Sequence, residues 1–116
     1  MTGFSRSFVL AGLVLCAVSV AFAQEAPRGD AAAGRQLFAE KGCYSCHGFV
    51  GQGSREGPRL TPPLAYPAFV AQLRTPRLIM PPYVETVVSD KQAADLHAYL
   101  ASQPKPPDPK TLDLLK

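Results

Sequence analysis

The chain has 116 residues, with 12 prolines, 9 glycines, 3 cysteines, no tryptophan and a formal net charge of +3. That length suffices for one domain and excludes a transporter, a multidomain enzyme or a repeat solenoid, and so small a positive balance gives no reason to expect a nucleic-acid or polyanion partner. Proline and glycine together stay below the range of low-complexity chains, so the sequence is that of a small folded protein.

Residues 1–23 open with a single cation, Arg6, continue in a nearly unbroken apolar run from Phe8 to Val20 and close on Ala21-Phe22-Ala23. This is the layout of a secretory signal peptide with a small-residue cleavage site. The run is short for a bilayer span, although an uncleaved anchor helix is the alternative. Cys16 lies inside it, but Leu15 stands where a lipoprotein signal carries a small residue. The expectation is export to the periplasm with cleavage after about Ala23, a domain over residues 24–103 and a proline-rich tail over 104–116. A chain this small buries a limited share of its unfolded surface, and small exported domains are held together by disulfides, metals or a cofactor.

Asp30 offers an N-cap for a helix that runs through Ala33, Leu37 and Phe38 to about Lys41, with Gly42 ending it. Gly34 inside this helix costs about 1 kcal/mol relative to alanine, which predicts a packing reason: another helix crosses there. Next comes Cys43-Tyr44-Ser45-Cys46-His47, the C-x-x-C-H pattern of covalent haem attachment. Two thiols three residues apart meet the two vinyl groups of one porphyrin edge, and the adjoining imidazole reaches the iron from one face. The other ring nitrogen of His47 then donates to a backbone carbonyl, for which Pro58 is the candidate. Three rival readings of the cysteines are a thioredoxin-like pair, half of a zinc site and a plain disulfide. The first wants a βαβ context, and nothing here alternates strand and helix patterns. Zinc wants two further thiol or imidazole ligands, and only His97 remains. A disulfide explains neither His47 nor the methionine that follows.

Residues 48–67 form a loop rich in glycine and proline, and a short helical segment is expected over 68–74, ended by Pro76. No strand-like alternation of useful length appears, which predicts an all-α fold. Apart from Met1, the chain has one methionine, Met80, in Leu78-Ile79-Met80-Pro81-Pro82-Tyr83. The two prolines stiffen the backbone beyond it, and a soft thioether sulfur favours ferrous iron, so Met80 is the candidate distal ligand. Its alternative is a gap-filler in the core. Ser89-Asp90-Lys91-Gln92 fits a capping box and starts a helix through Ala93, Leu96, Tyr99 and Leu100 to about Ser102, which Pro104 stops. His97, the other conceivable distal ligand, falls off that apolar stripe and reads as a solvent-facing histidine. Tyr44, Phe49, Leu60, Leu64, Phe69, Leu73, Leu78 and Ile79 are the lining expected around a large apolar cofactor. In the tail, Leu112, Leu114 and Leu115 either cover a gap in the core or dock on a partner.

Taken in order, Gly34 and Phe38, Cys43-Tyr44-Ser45-Cys46-His47, Gly57-Pro58-Arg59-Leu60, Met80 and Leu96-His97-Ala98-Tyr99-Leu100 make the chain resemble the class I monohaem c-type cytochromes over about residues 29–102. The resemblance implies an all-α cytochrome c-like fold whose N- and C-terminal helices cross at Gly34, with Phe38, Leu96 and Tyr99 in the contact. It implies one covalently attached haem c on Cys43 and Cys46, with Pro58 orienting His47 and Met80 completing the iron coordination. The absence of tryptophan and the short stretch before Met80 depart from mitochondrial-type members, leaving propionate contacts to Arg59, Arg74 or Arg77. The Met80-Pro81-Pro82-Tyr83 segment and the small size are similar to bacterial cytochromes that serve periplasmic dehydrogenases. The implied activity is electron transfer rather than catalysis, from such a dehydrogenase towards a downstream cytochrome or oxidase. The alternative is a haem enzyme or gas sensor with an open distal site.

Overall fold

The computed structural model describes residues 26–113; the expected signal peptide, Cys16 and the last leucines of the tail lie outside them. Among these residues four α-helices appear, α1 (Ala31–Glu40), α2 (Tyr44–His47), α3 (Tyr66–Arg74) and α4 (Asp90–Ala101), followed by a 3-10 turn at Pro109–Thr111. No strand occurs among the described residues, and the fold is all-α, as the sequence pattern predicts.

Each helix boundary has a local cause. The Asp30 side chain accepts hydrogen bonds from the N–H groups of Ala32 and Ala33, satisfying donors that the first turn of α1 leaves unpaired. At α4 the reciprocal capping box is complete: Ser89 Oγ accepts from Gln92 N, and Gln92 Oε1 accepts from Ser89 N. Helix α3 begins at Tyr66, two residues earlier than the apolar pattern indicates, because Pro67 stands in its first turn, where a missing N–H costs nothing. The short helix α2 has no amphipathic signature of its own; it forms as His47 N bonds to Cys43 O at 3.0 Å and Gly48 N to Tyr44 O at 2.9 Å.

The core is the crossing of α1 over α4, with α3 packed on α4 beside it. At the crossing, a Cβ on Gly34 would collide with the Asp95 carbonyl and come within 2.8 Å of Tyr99 Cβ. Only a residue without a side chain lets the backbones approach this closely. Leu37 and Phe38 then meet Leu96, Tyr99 and Leu100, with Leu73 and Val88 closing the cluster. Phe38 and Tyr99 pack as a tilted pair with ring centroids 5.5 Å apart.

This cluster is small, and several large apolar side chains remain outside it: Leu64, Phe49, Ile79 and, at 98 % exposure, Leu78. No described helix is long and apolar enough to cross a membrane. Residues 104–113 are all exposed, so the described part of the tail does not cover the core.

Candidate functional site

The C-x-x-C-H segment folds as one helical turn. Residues three apart on a helix share a face, so Cys43 and Cys46 sit one above the other, both as free thiols. Cys43 packs against the core. Burial pushes its thiol up, with the Tyr83 hydroxyl beside it pulling the other way. Burial likewise pushes the Tyr83 phenol up, and its hydroxyl donates to Lys41 O at 3.1 Å.

His47 is buried, and its Nδ1 lies 2.8 Å from the carbonyl oxygen of Pro58. A carbonyl only accepts, so Nδ1 carries the proton, and in the neutral imidazole Nε2 is then the nitrogen with the lone pair. The loop that delivers Pro58 is tied down on both sides: Gly53 N donates to His47 O at 2.8 Å, and Ser54 Oγ donates to Cys46 O at 2.5 Å. Gly57 passes so close that a Cβ there would stand 2.8 Å from Cys46 O and 3.0 Å from the imidazole ring.

Met80 is partly buried at the margin of the core. Gln72 Nε2 donates to its sulfur at 3.8 Å, a contact that sequence reasoning missed, since glutamine on a short helix carries no signal of what it faces. Gln72 also borders an open groove of about 450 Å³ lined by Leu64, Ala68, Ala71, Thr75 and Arg77. Beside Met80, Leu78 adopts φ 61°, a left-handed conformation that is unusual for a branched side chain and marks local strain.

The three arginines expected near a propionate differ. Arg59 is exposed in the loop after Pro58, and Arg77 lies at the rim of the groove. Arg74 is otherwise engaged: Nη1 donates to Tyr83 O at 2.6 Å and to Val88 O at 2.7 Å, and Nη2 to Asp90 Oδ1 at 2.7 Å. Its terminal nitrogens serve protein acceptors because the chain from Tyr83 to Asp90 folds back across the end of α3, which its position before Pro76 does not disclose.

His97 also departs from expectation. It does not point freely to solvent: Nε2 is 2.9 Å from Leu64 O, and its ring packs edge-on against Tyr66 and Phe69. Bonding to that carbonyl requires a protonated Nε2, so His97 is a structural link between α4 and the start of α3. Among the described residues no three or more histidine, cysteine and acidic side chains come together in a group that could hold a metal ion.

The residues present fit a haem. Two thiols share one helical edge, an imidazole with a free Nε2 follows them, a thioether stands on the segment after α3, and apolar side chains left outside the protein core offer lining. An all-α domain built on such a set is a c-type cytochrome domain. Residues 29–100 match the family model described as cytochrome c oxidase, cbb3-type, subunit III, and the chain belongs to that family. No curated protein and no solved structure matches the chain. Membership brings a covalently bound haem c and haem-based electron transfer.

Proposed function

We propose that the protein is a monohaem electron carrier of the class I type, in which Cys43 and Cys46 would bond the haem and His47 and Met80 would ligate its iron. The bound haem supplies a one-electron ferric/ferrous couple. The observation that carries this reading is the 2.8 Å contact from His47 Nδ1 to Pro58 O, which leaves Nε2 free and oriented next to two thiols on one helical turn. The chain's contribution is to hold ligands. Pro58 strengthens His47 as a donor by accepting its second proton. Gln72 orients the Met80 sulfur. The apolar surroundings keep water from the site and favour the state of lower net charge. Arg59 and Arg77 are the arginines that would reach the propionates, and His47 with Met80 would leave the iron no open site for a small substrate.

In this proposal residues 1–23 direct export and are cleaved, residues 24–103 form the cytochrome domain, and residues 104–116 are an appended tail. The electron donor is a periplasmic dehydrogenase of which the chain is the non-catalytic subunit or partner. The acceptor is a downstream cytochrome or oxidase, the latter in keeping with the family's description. Docking occurs by weak, transient contacts close to the attachment turn, where the stacked pair Tyr44 and Phe49 is exposed.

Two measurements test the reading. Mass spectrometry of periplasmic material is expected to give the cleaved chain plus one covalent haem; a mass showing two cysteines joined in a disulfide refutes attachment. The ferric protein is expected to be low-spin with a sulfur-to-iron absorption band that Met80→Ala removes, together with a fall in potential within the roughly 0.8 V span that axial ligands command. High-spin iron that binds carbon monoxide rapidly supports an enzyme or sensor instead.

A further inference from the structure

Apart from the Gln72 contact to the Met80 sulfur and the packing of Met80 at the core margin, the segment that carries Met80 has little of its own to hold it in place. Between Arg74 and Asp90 the backbone is irregular, and Arg77, Leu78, Ile79, Pro81 and Pro82 around the methionine are all exposed. Leu78 adds backbone strain at φ 61°, and a strained conformation persists only where the surroundings determine it. The determining contacts lie past the methionine, at Tyr83 and Val88. Tyr83 N donates to Leu73 O at 2.8 Å, and both the Tyr83 and Val88 carbonyls accept from a single nitrogen of Arg74. The guanidinium thereby bridges the last turn of α3 to both sides of the returning chain, using the fixed planar fork that lysine lacks. Its side chain is 22 % exposed, whereas its acidic partner Asp90 is 71 % exposed. The sheltered carbonyl bonds carry the bridge, and the exposed ion pair adds little.

We infer that Arg74 is a positioning residue that latches the Met80 segment shut, and so sets how readily another ligand displaces Met80 from the iron. The inference rests on the reading of Met80 as distal ligand. Releasing the latch removes two charge-assisted bonds from the closed arrangement and none from one in which the segment swings away. The strained Leu78 then favours opening, and a competing ligand draws on a larger open population.

The test is a titration of the ferric holoprotein with imidazole, following loss of the sulfur-to-iron band. Arg74→Met is expected to raise the apparent imidazole affinity about ten- to a hundredfold, with Arg74→Lys between it and the unaltered protein. Asp90→Asn is expected to change it less than about threefold, as an exposed ion pair should. Asp95→Asn weakens the α1–α4 contact, whose hydrogen bonds go to Asp30 and Lys91 and none to the segment, and is expected to lower thermal stability while leaving imidazole affinity unchanged. An unchanged affinity in Arg74→Met, or an equal rise in Asp95→Asn, overturns the latch. Should Arg74→Met fail to mature, an Arg74→Lys protein with unaltered affinity overturns it equally. Lack of the band in the unaltered protein removes the ligand reading and the latch together, whereas a normal band with unresponsive Arg74 variants removes the latch alone.

Discussion

The backbone N–H of Asp30 donates to Oδ1 of Asp95 across 2.7 Å, so the residue that caps α1 is itself held by a buried carboxylate in the middle of α4. The other oxygen, Oδ2, accepts from Lys91 Nζ at 2.8 Å. One acidic side chain thus fixes where the first helix begins relative to the last, at the crossing that supports the haem-attachment turn.

This arrangement predicts a pH dependence. The Asp30 N–H first, and Lys91 second, hold the Asp95 carboxyl below its usual range in spite of burial. Unfolded, it titrates near pH 3.9, so its stabilising contribution is complete above about pH 5 and is lost as pH falls through the lower folded value. Asp95→Asn is expected to cost about 1–3 kcal/mol at neutral pH. In denaturant unfolding compared across pH, the gap between the two proteins should close as the solution is taken below about pH 4. A gap that widens with acidification contradicts the assignment.

Gly34 tolerates no side chain. Because its Cβ would strike the Asp95 carbonyl, Gly34→Ala cannot gain the stability that alanine ordinarily confers on a helix. The two helices must move apart instead, at a cost of about 1–3 kcal/mol or more, visible as a lower unfolding midpoint or a reduced yield of holoprotein.

The capping box at α4 is separable into its halves. Ser89→Ala is expected to cost about 0.5–2 kcal/mol by leaving Gln92 N without its acceptor. If the reciprocal geometry holds, a double-mutant cycle with Gln92→Ala should show coupling between the two positions. Strict additivity speaks against it.

His97 and Met80 should part company under spectroscopy. His97→Leu removes the bond to Leu64 O and the edge contacts to Tyr66 and Phe69. A stability loss of about 1–2 kcal/mol is expected, with the ferric absorption spectrum unaltered. Met80→Ala should do the reverse, changing the spectrum most. A spectral change in His97→Leu matching that of Met80→Ala overturns the structural role of His97.

The features legible in the sequence were those whose cause lies within a few residues. Asp30 caps α1 and Ser89 with Gln92 caps α4, since a cap needs only the next turn of backbone to act on. The single turn of C-x-x-C-H places its two thiols on one edge by helical spacing alone, and the cost of Gly34 within a helix signalled that something must cross there. The contact from His47 to Pro58, expected on the ordered set of motifs, occurs in the fold.

What the sequence could not reveal depends on which distant surfaces meet. Asp95 looks like one more charge on an amphipathic helix until α1 is laid across it, 65 residues away in sequence. His97 lies off the apolar stripe of α4, yet the arrival of Leu64 from the loop before α3, and of Tyr66 and Phe69 from α3 itself, gives it a carbonyl and two rings. Arg74 reads as a spare cation until the chain returns to offer Tyr83 O and Val88 O. Propensity and spacing therefore determined the elements and the cluster of haem-binding chemistry, because both are short-range. The partners of the buried and half-buried polar groups were decided by tertiary structure alone, because a desolvated donor or acceptor must find its bond wherever the packing of the helices brings one within reach.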